Sequence, residues 1–265
     1  MPVFFTDQLG ETIRLENRPK RIVSLVPSQT ELLFHLGLDN EVVGITKFCI
    51  HPNEWFTRKT RIGGTKTIDI EKVRLLSPDL IIGNKEENTK EDIDKLREIA
   101  PVWMSDVLTF DNALEMVSQL GNLVGKSKQG KTICEQISNE FAALKPHCAN
   151  WKCAYFIWND PLFVAGKNTF IDAILQKCGF VNCCSTSRYP EWNDAEMATP
   201  DIVFLSSEPF PFSNKHVLAF QQRFPFAKIH IVDGEVFSWY GSRMLEAPSY
   251  LQKLIDQLTS QQESN

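Results

Sequence analysis

A chain of 265 residues with 43% hydrophobic content can bury one large core or two modest ones, which excludes disorder and favours two lobes. The formal net charge of -5 excludes nucleic acid and anionic membrane as the main partner, because neutralising phosphates needs a concentrated basic surface. No stretch approaches the roughly 20 apolar residues of a membrane-spanning helix, so membrane insertion is not expected.

In chain order, residues 1–10 carry neither the basic nor the apolar region of a secretory leader, and the expectation is a chain that is not exported. The apolar run Ile22-Val23-Ser24-Leu25 is broken at Pro27 and Ser28, and Thr30 to Leu38 continues at helical spacing: strand, loop, helix. Ser28 is the predicted N-cap, Glu31 completes a capping box, and Gly37 is the predicted stop. Ile70 to Leu76 then predicts a helix, Pro78-Asp79 a turn and Leu80-Ile81-Ile82 a buried strand. Thr89 to Ile99 reads as a charged helix and Val102-Trp103-Met104 as a further strand.

From Asn112 to Leu144 there is no strand signal, and Leu114, Val117, Leu120, Val124, Ile133, Ile137, Phe141 and Leu144 keep helical spacing. The expectation is one long helix of about 45 Å, bent at Gly121, Gly125 and Gly130 and stopped by Pro146. Such a stiff spine predicts a largely preformed cleft rather than a wide closing motion.

The second half repeats the order of the first. Cys153 to Trp158 is a strand, Pro161 to Asn168 a loop and Phe170 to Cys178 a helix closed by Gly179. Pro200-Asp201-Ile202-Val203-Phe204-Leu205 mirrors Pro78-Asp79-Leu80-Ile81-Ile82, and Ile229 to Val232 gives a last strand before a helix from about Pro248. The predicted fold is therefore α/β: two lobes with short parallel sheets flanked by helices, joined by one long backbone helix. Its expected divisions are an N-terminal lobe over 1–111, the connecting helix over 112–147 and a C-terminal lobe over 148–265. The seven cysteines (Cys49, Cys134, Cys148, Cys153, Cys178, Cys183 and Cys184) are odd in number and irregular in spacing, which reads as reduced thiols rather than a disulfide framework.

Gly125-Lys126-Ser127-Lys128-Gln129-Gly130-Lys131-Thr132 satisfies the phosphate-loop pattern in full. That chemistry needs a buried strand directly before the glycine loop, so that backbone N–H groups converge on the phosphates. Residues 112–124 have helical periodicity instead, and the motif reads as a solvated, lysine-rich bend rather than the site of a nucleotide hydrolase.

The segment from Arg21 to Glu31 resembles the opening of the class III periplasmic substrate-binding proteins, the helical-backbone metal receptors that include cobalamin-binding proteins. Val43-Gly44-Ile45, Ile62-Gly63-Gly64, Ser77 to Ile82, Phe163 to Thr169 and Pro200 to Val203 follow in the family's order, and the likeness covers about residues 19 to 257. The resemblance implies a binding protein of an ABC transporter, without catalytic residues or a required cofactor. Its ligand would be cobalamin, haem or a ferric siderophore, held between the lobes. The implied loops lie around Pro27-Ser28, Phe48 to Trp55, Asn84 to Glu87, Trp158 to Phe163, Pro209 to Phe212 and Ser238 to Arg243. Phe48, Trp55, Trp158, Phe163, Trp239 and Tyr240 offer broad apolar faces suited to a corrinoid, with Trp158 and Tyr240 favoured because each sits at a strand end; the alternative is that most are core.

Cys49 and His51 could grip a soft or borderline metal, although two donors do not close a site; the alternative is an ordinary loop thiol and a histidine fixing the turn before Pro52. Arg61, Arg188 and Arg243 present planar donor forks to anionic oxygens, Arg243 being favoured beside Trp239 and Tyr240; the alternative is a structural or surface charge. The resemblance also implies docking on an ABC permease through one acidic residue per lobe, Glu87 or Glu91 in the first and Glu196 in the second. An exported receptor in the periplasm and an intracellular, cytoplasmic chelate binder both stay open. An enzyme does not fit as well, since no nucleophile elbow, metal-ligand triad or paired carboxylates are evident.

Overall fold

The computed structural model describes residues 2–146 and 150–260; Cys148 lies outside them. Among the described residues the chain divides into two compact units. One takes Met1–Val107, Asp111–Gln136 and Tyr240–Arg243; the other takes Leu108–Phe110, Ile137–Trp239 and Met244–Asn265.

The first unit opens with an antiparallel hairpin, β1 (Val3–Thr6) and β2 (Thr12–Leu15), which the sequence pattern did not announce. β3 (Ile22–Ser24), α1 (Pro27–His35), β4 (Val42–Ile45), α2 (Asn53–Arg58) and β5 (Thr60–Arg61) follow. A short hairpin of β6 (Gly63–Gly64) and β7 (Thr67–Ile68) leads to α3 (Ile70–Leu75), β8 (Leu80–Asn84), α4 (Lys90–Arg97) and β9 (Val102–Ser105). The sheet runs in the order β5-β4-β3-β8-β9 with every neighbouring pair parallel. Its central strands are buried on both faces, which is why Leu80-Ile81-Ile82 is a continuous apolar run rather than an alternating one. Val23, Ile81 and Val102 pack with Val73 of α3 and with Ile93 and Leu96 of α4. Thr89 caps α4 by accepting from the Asp92 amide, and Asp69 caps α3 by accepting from Lys72.

The predicted capping box at Ser28 does not form. Val26 is the N-cap of α1 and uses no side chain; Pro27 holds the first helical position, where its fixed φ suits the helix and its missing N–H costs nothing. Ser28 thus lies inside the helix, and Glu31 is released for a different partner.

Residues 112–144 are helical, as the spacing predicts, but they form two helices: α5 (Phe110–Leu123) and α6 (Ser127–Ala143). Gly125 adopts φ +69°, a left-handed turn that ends α5 and reverses the chain. A Cβ on Gly121 would come within 3.1 Å of the Gly130 Cα, and Cys134 Sγ donates to the Leu114 carbonyl at 3.3 Å, so the two helices pack antiparallel with glycines at their closest approach. The phosphate-loop-like stretch is this turn: a helix precedes it, and Lys131 lies on α6 beside Glu135 at 3.7 Å.

The second unit holds β10 (Lys152–Trp158), β11 (Phe163–Val164), α7 (Phe170–Lys177), β12 (Val181–Asn182), β13 (Ile202–Ser206), α8 (Asn214–Arg223), β14 (Lys228–Val232), α9 (Gly234–Ser238) and α10 (Ala247–Ser260). β10, β13 and β14 are parallel neighbours, β12 pairs in parallel with the start of β10, and β11 pairs antiparallel with its end. The path β12-β10-β13-β14 repeats β4-β3-β8-β9, so the echo in the sequence is an echo in topology. Phe156, Phe220, Phe224 and Trp192 form an aromatic core beneath it.

Candidate functional site

Parallel α/β sheets bind ligands outside the carboxyl ends of their strands, where loops lead into helices. In the first unit these ends are Ser24, Ile45, Asn84 and Ser105. Much of the polar chemistry there is internally satisfied. Asn84 Nδ2 donates to Ser105 Oγ at 2.9 Å, and Gln29 Nε2 donates to the same hydroxyl. Tyr240 is buried, and burial holds its ionisation well above the usual range, with Ser28 and Ser105 near its hydroxyl. Tyr240 and Ser28 thus lie close together in the first unit.

Cys49 is fully buried and its Sγ lies 3.1 Å from both Thr30 Oγ1 and Thr46 Oγ1. Burial pushes its thiol up, away from the thiolate a metal would need. His51 lies in the same loop and is half-buried, and among the described residues no three His, Cys, Asp or Glu side chains come together as a metal set. Cys49 is thus a buried core thiol, while His51 stays partly open beside it.

Trp55 is likewise core. It is 0% exposed, stands edge-on to Phe34 at 5.4 Å and donates from Nε1 to Asp39 at 2.7 Å. Phe48 points the other way, 50% exposed, with Lys47 Nζ 5.1 Å from its ring centre. Arg243 does not present a free fork: its Nε and Nη2 meet the two carboxylate oxygens of Glu31 at 3.1 and 2.9 Å. Arg61 donates to the Phe56 carbonyl and stacks 4.9 Å from that ring, and Arg188 takes a left-handed backbone whose amide donates to Lys167. Glu91 is exposed in the first turn of α4, Glu196 is exposed, and Glu87 is half-buried with its amide donated to Asn84 Oδ1.

In the second unit the strand ends are Trp158, Ser206 and Val232. Trp158 is 41% exposed, edge-on to Phe210 at 5.6 Å, with Nε1 donated to the Asp160 carbonyl; Phe163 pairs with it across β11 and is half-buried. Trp239 is buried, and its Nε1 donates to Glu208 Oε1 at 2.9 Å. A cavity of about 450 Å3 opens at the ends of β13 and β14, lined by Ser207, Glu208, Ile231, Val232, Asp233 and Glu235. Glu208 was not singled out from the sequence, and Phe210 only as part of the implied loop Pro209 to Phe212. The available signal was position: both follow the buried run Ile202–Ser206 within four residues.

The periplasmic binding protein family matches residues 22–223, most of the chain. The chain belongs to this family. As a member it is a binding protein and not an enzyme, which accords with a site made of aromatic faces and fixed polar groups. An uncharacterized ABC transporter substrate-binding lipoprotein of Bacillus subtilis is 26% identical over 66% of this chain, and the match spans only 58% of that relative. A vitamin B12-binding protein of Vibrio parahaemolyticus is 24% identical over 78% of this chain and 76% of its own length. Among solved structures, the petrobactin-binding protein of Bacillus subtilis superposes with a TM-score of 0.80 at 17% identity, covering 97% of this chain and 99% of that one. This last likeness is one of fold, and it is the two-lobed fold of the family.

Proposed function

We propose that this protein captures a chelated metal, a cobalamin-like corrinoid before haem or a ferric siderophore, for an ABC transporter. The observation that carries the reading is Trp158 at the carboxyl end of β10. It is an indole left 41% exposed beside Phe210, in a fold that buries Trp55, Trp103, Trp151, Trp192 and Trp239. A part-exposed indole at a strand end is a poor way to stabilise a domain and a good way to cover a flat macrocycle. Similarity to a vitamin B12-binding protein supports the corrinoid over its competitors. In this reading Trp158 and Phe163 supply the ligand face of the second unit, and Phe48 is the exposed ring that the first unit offers. The exposed carboxylates Glu91 and Glu196 meet the permease, and the protein works outside the cytoplasmic membrane. A second reading, the same binding in a reducing compartment, is favoured by the six described cysteines all being free thiols; a fused compartment reporter separates the two.

The test is a titration with cyanocobalamin, haemin and a ferric hydroxamate, followed by tryptophan quenching and calorimetry. Cyanocobalamin is expected to bind tightest, and Trp158→Ala to weaken it about tenfold or more, the scale of a lost aromatic contact. A wild-type protein that takes none of the three chelates ends the reading.

A further inference from the structure

Glu208 sits where β13 ends, and everything around it fixes its position. The Ser206 hydroxyl donates to the Glu208 carbonyl at 2.5 Å, while Ser238 Oγ and Trp239 Nε1 both donate to the same carboxylate oxygen, Oε1, at 2.8 and 2.9 Å. Gly234 lies so near that a Cβ there would meet the Glu208 Cγ at 2.5 Å, so the start of α9 confines the side-chain stem. The other oxygen, Oε2, receives no hydrogen bond from a described residue, and Glu208 lines the cavity at the ends of β13 and β14. A carboxylate half-tied and half-open at a strand end is preorganised to accept a hydrogen bond from something that enters.

The surroundings decide what can enter. The loops after the strands of this unit, residues 158–162, 207–212 and 233–235, carry Asp160, Glu208, Asp233 and Glu235 and no lysine or arginine. Asp233 Oδ1 accepts from the Glu235 amide at the start of α9. Glu208 stands two residues before Phe210, whose ring is edge-on to the part-exposed Trp158. A ligand bearing carboxylates or catecholates on this side would face repulsion with no cation to offset it.

We infer that Glu208 is a specificity-determining residue of the proposed ligand face, accepting a hydrogen bond through Oε2 from a carboxamide or ammonium on the ligand's rim. It thereby selects neutral, donor-rich chelates over polyanionic ones. This rests on the chelate-binding reading above and adds the chemistry of the rim to it. A purely structural glutamate, holding only Ser238 and Trp239, is the competing role, and glutamine separates the two. In Glu208→Gln the amide oxygen still accepts from Ser238 and Trp239, while the NH2 group replaces the acceptor facing the cavity.

The experiment measures affinities of wild type and Glu208→Gln for cyanocobalamin, its monocarboxylic acid derivatives and a ferric tricatecholate, with thermal midpoints alongside. The expected result is that wild type prefers cyanocobalamin to its acids. Glu208→Gln should then lose roughly tenfold for cyanocobalamin and narrow the gap to the acids, at a midpoint no lower than that of wild type. Glu208→Ala, which also frees Ser238 and Trp239, should lower the midpoint as well. Equal affinities of wild type and Glu208→Gln for cyanocobalamin overturn the inference and leave the chelate-binding reading standing. So does a wild-type preference for the tricatecholate. A wild type that binds cyanocobalamin, haemin and ferric chelates not at all overturns the reading and the inference together.

Discussion

The two units share a strand order but spend the ends of their strands differently. In the first, side chains that resemble site residues are used up inside the fold: Cys49 between two threonine hydroxyls, Trp55 on Asp39, Arg243 on Glu31. In the second, Trp158 stays open beside Phe210 and Glu208 keeps one oxygen uncommitted. A repeated topology therefore fixes where loops emerge and leaves open whether their chemistry faces inward or outward. What decides it is the availability of partners. Where a helix or a returning segment brings a hydroxyl or a counter-charge within reach, burial wins; where none arrives, the group stays available to a ligand.

The sharpest way to break this comparison is to delete one tryptophan from each side. Trp55→Ala removes a ring fully enclosed by Phe34, Asp39 and Lys59 and should destabilise the protein by about 3–5 kcal/mol, read from urea unfolding. Trp158→Ala should cost about 1 kcal/mol or less, because much of that indole is already in water. Equal losses would mean that the two rings do the same job and that the second unit is as self-satisfied as the first.

The next largest effect concerns the segment Tyr240–Arg243, which belongs to the first unit although residues of the second flank it on both sides in sequence. Its two-pronged bond to Glu31 is largely shielded from solvent, and Gly241 packs near Leu32 and Met116. Arg243→Met should cost about 2–3 kcal/mol, because it leaves a buried carboxyl without its counter-charge. Adding Glu31→Gln should recover part of that loss, since an amide needs no cation. A double variant no more stable than Arg243→Met alone would show that the arginine acts through packing of its stem rather than through the pair.

These examples also show what a linear reading can reach. Buried parallel strands were legible because a run such as Leu80-Ile81-Ile82 or Ile202 to Leu205 has few other uses, and Gly37 and Gly179 marked helix ends that do take positive φ. The break between α5 and α6 was not legible as a reversal. Val117, Leu120, Ile133 and Ile137 are all buried, so helical periodicity runs through both helices although the chain turns back at Gly125. For the site, residue type located the loops but could not orient side chains. Arg243 meets Glu31 across 212 positions, and Trp55 meets Asp39 across 16, pairings that depend on topology rather than on local pattern.

The smallest predicted effect is also the most specific to the first unit. Burial raises the Glu31 carboxyl above its ordinary value of 4.5, outweighing the pull of Arg243, His35 and His51 around it. The folded state therefore keeps this proton at pH values where the unfolded chain has lost it. Stability from this group is fully present below about 4.5 and is lost as pH rises through the higher folded value. Over that mildly acidic window the thermal midpoint of wild type should decline with rising pH. Glu31→Gln cannot titrate and should flatten the profile, while Glu208, raised for the same reason, leaves a residual slope that Glu208→Gln removes. A wild-type midpoint that rises through this window would mean that Arg243 dominates burial at Glu31. The first unit's strand ends would then be held by charge rather than by enclosure.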